Sequence, residues 1–154
     1  MRISAASRPL VKGREKFDRL IPAMEELASR FPGGGTVEVS LVGERMMARL
    51  NREWKGRRGA SEVLTFVYGN GGVEEGPVAE VFLCWNRLAS AARKDRVPVR
   101  ARLLRMLSHA LCHVEGHSHG DERSRRIMER VEKRRLEGSL PAKEIERMFG
   151  QPAR

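Results

Sequence analysis

One segment in the second half of the chain restricts the fold more than any other. Residues 99–114 read V-R-A-R-L-L-R-M-L-S-H-A-L-C-H-V, and Pro98 stands directly before them, where a helix can begin. The apolar residues of this segment cover much of the circumference of a helix. A helix of that kind is buried on most sides. We therefore predict a central apolar helix with the other elements packed around it.

All four histidines of the chain lie at the end of this predicted helix or just after it: His109, His113, His117 and His119. His109 and His113 are four residues apart, so one helix face presents both side chains to a single ion. Gly116 is able to end the helix and turn the chain back, after which His119 or His117 supplies a third nitrogen. We favour His119, because the residues after the turn give the chain room to reach back. Three imidazole ligands with one open position are typical of a catalytic zinc ion.

The spacing H-x3-H-x5-H, with a glycine three residues after the second histidine, also matches the zincin pattern H-E-x-x-H-x-x-G-x-x-H. The glutamate that serves as general base in that pattern is absent, since position 110 is alanine. Glu115 does not replace it, because it lies out of phase with the face of His109 and His113. Cys112 stands among apolar residues, and we expect it to be buried and not a ligand. The sequence therefore does not favour a metalloprotease.

The remaining sequence alternates between strand and helix patterns. Strands are predicted over 36–42, 62–68 and 78–84, and helices over 13–30, 44–54, 86–95, about 121–136 and 142–149. Pro22 predicts a kink or a late start in the first helix, and Asp121 is a candidate helix cap. Residues 69–77 predict a loop. The class is α+β: we expect residues 1–154 to form a single domain in which one small mixed β-sheet packs against helices.

The chain is strongly basic. Thirty Lys and Arg residues against twenty Asp and Glu residues give a formal net charge of +10, with a sequence pI near 10.7. A small basic domain of this kind often binds polyanions, of which RNA and DNA are the leading candidates; a surface that only keeps the protein in solution is the alternative. Basic residues in 44–58 and 87–102 are candidates for phosphate contact. The mixed charges of 123–137 indicate a solvated helix face.

Two further observations concern the cellular compartment. No stretch is apolar enough to span a membrane, and the N-terminus lacks the apolar core of a signal peptide. The two cysteines, Cys84 and Cys112, are too few for a disulfide framework. We therefore expect a protein of the cytoplasm with no membrane partner.

Three segments of the sequence are similar to those of a known family. Residues 109–119 read H-A-L-C-H-V-E-G-H-S-H, where the family reads H-G-x-L-H-L-x-G-Y-D-H. Residues 50–66 read L-N-R-E-W-K-G-R-R-G-A-S-E-V-L-T-F, where the family reads L-N-x-x-Y-R-x-x-D-x-P-T-D-V-L-S-F. A third segment, A-E-V-F-L-C-W-N, is similar to the family's G-D-I strand. Over about residues 36–137 the chain resembles the bacterial YbeY-type rRNA maturation endoribonucleases.

The resemblance implies a metal-dependent single-strand endoribonuclease that acts in rRNA maturation and ribosome quality control. One zinc ion would be held by His109, His113 and His119 and would activate a water. The catalytic candidates are His113 and Lys55, which stands where the family has arginine. Ribosomal RNA or a ribosomal subunit is the implied partner, and DNA is not expected. Contacts to RNA along a groove are expected from six basic residues: Arg45, Arg49, Arg52, Lys55, Arg57 and Arg58.

Several positions depart from the family pattern. Ala110 replaces a glycine, His117 and Ser118 replace Y-D, and residues 60–62 read A-S-E in place of P-T-D. The ligands are kept while their surroundings differ, which indicates a divergent member. Glu62 is a candidate general base, or else a solvated residue at the start of a strand. Two other functions stay open: a non-catalytic RNA- or ribosome-binding protein that zinc stabilises, and a metal-dependent hydrolase of another substrate.

Overall fold

The structure is a computed structural model that describes residues 1–68 and 76–150. Its elements along the chain are β1 (Arg2–Ser7), α1 (Arg14–Arg19), α2 (Ile21–Ser29), β2 (Thr36–Val42), α3 (Glu44–Lys55), β3 (Val63–Val67), β4 (Ala79–Cys84), α4 (Trp85–Asp95), α5 (Val99–Val114), α6 (Glu122–Leu136) and α7 (Ala142–Phe149). Most of the loop predicted over 69–77 lies outside the described residues. None of the described helices is both long and apolar enough to cross a membrane.

The four strands form one sheet in the order β1-β2-β4-β3. β1, β2 and β4 run parallel, so that Val39 in β2 pairs with Ala5 on one side and Val81 on the other. β3 runs antiparallel to β4, with Leu64 opposite Phe82. The sheet is therefore mixed, as the sequence predicts, and β3 stands at one end of the strand order.

The helix α5 lies at the centre of the main core. Its side chains Leu103, Leu107 and Leu111 are buried together with Val39 of β2 and Val81 of β4. Burial of each such aliphatic side chain contributes about 1.5–3 kcal/mol to folding before entropy is subtracted. The central helix carrying the histidine motif is thus confirmed, and the apolar core holds its C-terminal end in place.

The opposite face of the sheet is covered by α3. Met47 of this helix is fully buried in a second, smaller cluster with Val42, Leu64 and Cys84. Alternate residues of β3 consequently face different layers, since Leu64 packs beneath α3 whereas Val63 packs against the main core. This places β3 between the end of α3 and the end of α5.

The predicted α+β class is confirmed, with two differences in its N-terminal part. The strand β1 was not predicted, because only Ile3 and Ala5 of this polar segment pack against the core and its pairing with distant β2 defines it. The helix predicted over 13–30 is divided at Leu20 into α1 and α2. Pro22 lies in the first turn of α2, where its missing N–H breaks no helical hydrogen bond.

Candidate metal centre

The end of α5 turns the chain back toward the helix. Gly116 adopts a left-handed conformation with a φ of 100°. Its N–H donates to the His113 carbonyl at 3.0 Å, and the N–H of His117 donates to the Cys112 carbonyl at 3.0 Å. This pair of bonds is a Schellman motif, whose positive φ favours glycine. As the sequence predicts, the turn returns residues 117–119 to the last turns of α5.

Three histidines meet at this turn. The ring centroids of His109, His113 and His119 are separated by 4.8, 5.3 and 4.8 Å. Nε2 of His109 lies 3.3 Å from Nε2 of His113, and one ligand atom from each of the three residues lies within 4.8 Å of the others. Two nitrogens bound to a tetrahedral zinc ion, with bonds of about 2.0–2.1 Å, would lie about 3.3 Å apart. The three imidazoles, and the spacing of the His109–His113 pair, therefore fit a single metal ion such as zinc.

Hydrogen bonds on the far side of two rings determine which nitrogens face the centre. Nδ1 of His109 lies 2.6 Å from Oε1 of Glu132, and Nδ1 of His113 lies 3.1 Å from the carbonyl oxygen of His117. Because a carboxylate and a carbonyl only accept, Nδ1 of each ring is the donor. In this arrangement each ring directs Nε2 toward the centre, where a bound cation would stabilise the two facing nitrogens.

Burial lowers the pKa of His113, and the neighbouring His109 and His119 lower it further. At neutral pH the ring is consequently neutral. Neutral imidazole is the form that binds a metal. The environment of His113 thus prepares its Nε2 as a ligand.

Glu132 of α6 is the residue of this site that the sequence analysis missed. Its side chain is only 2% exposed, so the prediction of a solvated face over 123–137 is wrong at this position. Met128 and Leu136, one turn before and one turn after it, are buried as well. A glutamate between two apolar residues at helical spacing was the available signal. The many other charged residues of α6 made this glutamate look like part of an exposed face.

His117 and Cys112 do not join the three histidines. Nε2 of His117 lies 3.7 Å from Oε2 of Glu115, whose other oxygen lies 3.8 Å from Arg135 of α6. Cys112 is fully buried, as expected, and burial raises the pKa of its thiol. Of the two alternatives for the third nitrogen, the structure brings His119 to the centre.

A cleft of about 500 Å³ lies beside the three histidines. Lys55 and Arg57 bring positive charge to it, and β3 forms one wall through Val63, Thr65 and Val67. No acidic side chain is found among the described residues that line it. Imidazoles and cations without carboxylates make this cleft suited to an anionic ligand.

The buried side chain of Asn51 holds the loop that carries these cations. Its Nδ2 donates to the carbonyl of Gly59 at 3.2 Å and to Oγ of Ser61 at 3.0 Å. Its own backbone carbonyl accepts from the N–H of Arg57 at 3.1 Å. The connection between α3 and β3 is therefore fixed from within, which positions Arg57 at the cleft, next to Lys55 at the end of α3.

Four of the six basic residues predicted to contact RNA lie outside the cleft lining: Arg45, Arg49, Arg52 and Arg58. The first three lie on the exposed side of α3, because this helix turns its buried side to the sheet, and Arg58 is exposed in the following loop. Nε of Arg49 is 4.0 Å from Glu53. Contact between these four residues and RNA stays a prediction, and it requires a strand that extends beyond the cleft.

Glu62 is not available as a general base. Both of its carboxylate oxygens accept hydrogen bonds from the guanidinium of Arg102, each at 2.8 Å, and Arg102 also donates to Asp95 at 3.1 Å. Nor is Glu62 a freely solvated residue. Arg87 and Arg100 are paired with carboxylates as well, so half of the basic residues in 87–102 form ion pairs. This stretch is a weaker candidate for phosphate contact than the sequence indicated.

Comparison with known proteins identifies relatives of the chain. The family model described as Endoribonuclease YbeY matches residues 10–139. The Endoribonuclease YbeY of Anaeromyxobacter sp. (strain Fw109-5) is 34% identical over 146 residues, which cover 93% of this chain and 74% of the relative. That of Cupriavidus pinatubonensis (strain JMP 134 / LMG 1197) is 32% identical over 100 residues, which cover 64% of this chain and 49% of the relative.

A solved structure has a similar fold. The solution structure of TM1509 from Thermotoga maritima matches with a TM-score of 0.60 and 23% identity, over 96% of this chain and 89% of that one. At this identity the likeness concerns the fold alone. The family model spans most of the sequence, and the Anaeromyxobacter relative is matched over most of its length. The chain belongs to the endoribonuclease YbeY family.

Proposed function

We propose that this protein is a metal-dependent endoribonuclease that binds one zinc ion and cleaves single-stranded RNA. The observation that carries the proposal is the cleft in which His109, His113 and His119 stand beside Lys55 and Arg57. Family membership supports the endoribonuclease role. Ribosomal RNA, in maturation and quality control of ribosomes, is the proposed substrate, and the cytoplasm is the proposed location.

The residues of the site have separate tasks in this mechanism. Glu132 and the His117 carbonyl hold the Nδ1–H groups of His109 and His113, so that both rings present Nε2. A bound zinc ion supplies Lewis acidity toward phosphate and water. Lys55 and Arg57 bind the RNA backbone and offset the negative charge that develops during cleavage.

The acidic residues described near the site argue against a zincin-type peptide hydrolase. Glu132 is buried and occupied by His109, and Glu62 is bound to Arg102. Ala110, at the position of the zincin general base, is fully buried. The lack of a carboxylate among the described lining residues favours one second candidate function, an RNA-binding protein in which zinc stabilises the fold.

Metal content and cleavage, measured on one preparation, test the proposal. The purified protein, with its zinc quantified, is incubated with single-stranded RNA and with ribosomal RNA, beside His113→Ala. We expect one zinc ion per chain and RNA cleavage, with both lost in the variant. Full zinc occupancy without cleavage above the level of His113→Ala would contradict the nuclease and leave the RNA-binding protein. Absence of zinc after purification without chelators would contradict both.

A further inference from the structure

Trp54 is an exposed aromatic residue that is not itself part of the cleft lining. It stands directly before Lys55 at the end of α3, and it is 67% exposed. The other tryptophan of the chain, Trp85, is 8% exposed and belongs to the main core. A large aromatic ring stabilises a fold mainly through burial. The exposure of Trp54 is therefore not explained by packing, and it leaves the face of the indole open to a ligand.

Two further aromatic rings hold the indole of Trp54 in place. Its centroid lies 6.1 Å from that of Phe66 with an interplanar angle of 82°, and Phe66 lies 5.9 Å from Phe82 at 83°. Such edge-to-face contacts are favourable between aromatic rings. The three rings thus form a continuous series from Phe82 in β4, through Phe66 in β3, to Trp54 at the surface. The indole is thus supported from below while most of its surface stays open.

Several basic residues stand close to Trp54 in the sequence. Residues 52–58 contain four basic side chains: Arg52, Lys55, Arg57 and Arg58. The one acidic residue of that stretch, Glu53, lies 4.0 Å from Arg49. Nζ of Lys55 lies 5.5 Å from the centroid of Phe66, the ring that supports Trp54, and Lys55 also lines the histidine cleft. Lys55 therefore connects the aromatic rings, which lie on the α3 side of β3, with the histidine cleft.

We propose that Trp54 stacks against an unpaired base of RNA whose neighbouring phosphate is held by Lys55 and Arg57. Stacking on an aromatic ring beside a basic groove is a general way to bind single strands without reading their sequence. Paired bases do not offer their faces, so this contact would favour single strands over duplexes. The inference rests on the proposed function only in that the same strand continues to the histidines.

The test measures binding to the metal-free full-length chain in the presence of a chelator, so that RNA is not cut. The probe is a short single-stranded RNA, compared with an oligomer of equal length that has phosphates but no bases. We expect the RNA, but not the abasic oligomer, to quench tryptophan fluorescence. Trp54→Leu, which keeps an apolar side chain but has no aromatic face, should remove the quenching and weaken RNA binding about 5- to 150-fold.

Two controls separate stacking from charge. Trp54→Phe should retain most of the affinity, because it keeps an aromatic face. Trp54→Leu should leave the slope of log affinity against log salt concentration unchanged, since Trp54 contacts no phosphate. Thermal melts of the metal-free variants establish that they fold. If Trp54→Leu does not fold, the proposal is tested on the wild-type chain alone. Quenching of tryptophan fluorescence by RNA but not by the abasic oligomer then supports stacking, and equal quenching contradicts it.

Equal affinity of the wild-type and Trp54→Leu chains for RNA would overturn the proposal. An equal loss with RNA and with the abasic oligomer would overturn it too. Cleavage is not part of this readout. A chain that binds through Trp54 but never cuts contradicts the proposed function alone, and a chain that cuts without needing Trp54 contradicts the stacking alone.

Discussion

Glu132 shows, at the scale of one residue, how a side chain distant in sequence prepares a metal ligand. Its carboxylate lies 2.6 Å from Nδ1 of His109 and is 2% exposed, so water does not readily replace it. Carboxylates bonded to ligand histidines fix the ring and raise the basicity of the nitrogen that binds the metal. A substitution of Glu132 should therefore change the zinc affinity of the histidine centre.

We predict that Glu132→Gln weakens zinc binding about 10- to 100-fold, because the amide keeps the shape but loses the charge. The measurement is a competition titration against a chromophoric zinc chelator. Glu122→Gln is the matched control, since Glu122 lies on the same helix, is exposed and pairs only with Arg126 among the described residues. Equal zinc affinity of the wild-type and Glu132→Gln chains would contradict the assigned role.

The two cysteines give a second prediction at this scale. Cys84 and Cys112 are 1% and 0% exposed, and burial raises the pKa of both thiols. Because the thiolate is the reactive form, neither residue should react with an alkylating reagent at pH 8 in the folded protein. Mass spectrometry should find both alkylated once denaturant is added. Rapid alkylation of either residue in the native chain would show that the core is more open than described.

The histidine triad could be predicted from the sequence because its geometry is local. His109 and His113 share a helix face, and one glycine turn separates them from His119. The bond between His109 and Glu132 joins residues 23 positions apart. It depends on how α5 packs against α6, which no local pattern specifies.

At the scale of elements, the connection from α3 to β3 determines where the cations of the cleft stand. Asn51, 2% exposed, is bonded to Gly59 and Ser61 across this connection. The same residue accepts the N–H of Arg57. Arg57 is thus positioned by buried hydrogen bonds of Asn51, while Lys55 is placed by the last turn of α3.

We expect Asn51→Ala to lower the free energy of unfolding by about 1–3 kcal/mol, because the buried groups it serves lose their partner. Urea unfolding of the metal-free chain measures this difference. Asn51→Asp, nearly equal in shape, should also destabilise the protein, since a carboxylate cannot donate to the Gly59 carbonyl. Wild-type stability of Asn51→Asp would show that the donated bonds are dispensable.

The elements themselves were largely predictable, and the exceptions have physical causes. The strands β2 and β4 have alternating or continuous apolar residues that mark them in the sequence. The strand β1 has few such residues and is defined by parallel pairing with β2, a contact between distant segments. The division of α1 from α2 follows from Pro22, for which the sequence predicted a kink or a late start.

Across the whole molecule, the net charge of +10 favours contacts to phosphate, and RNA binding through such contacts should depend strongly on salt. We predict that Lys55→Gln weakens RNA binding and reduces the slope of log affinity against log salt concentration by about 0.7, the value for one contact to a single strand. Lys94→Gln is the control, because Lys94 is exposed on α4 and does not line the cleft. If both substitutions weaken RNA binding equally, the total charge and not the position of Lys55 determines RNA affinity.

We also propose that residues 1–154 form one domain. The main core joins side chains from Phe17 in α1 to Met148 in α7 within a single cluster. Unfolding of the metal-free chain should accordingly be one cooperative transition, with circular dichroism and tryptophan fluorescence changing at the same urea concentration. Two separate transitions would contradict a single domain.

Titration of zinc into the metal-free chain, with RNA cleavage measured at each addition, tests whether the three histidines form the metal centre of a nuclease. We predict that cleavage rises in proportion to bound zinc, stops rising at one ion per chain, and stays absent in His113→Ala throughout. Cleavage at full rate without metal, or a fully loaded chain that does not cut RNA, would contradict it.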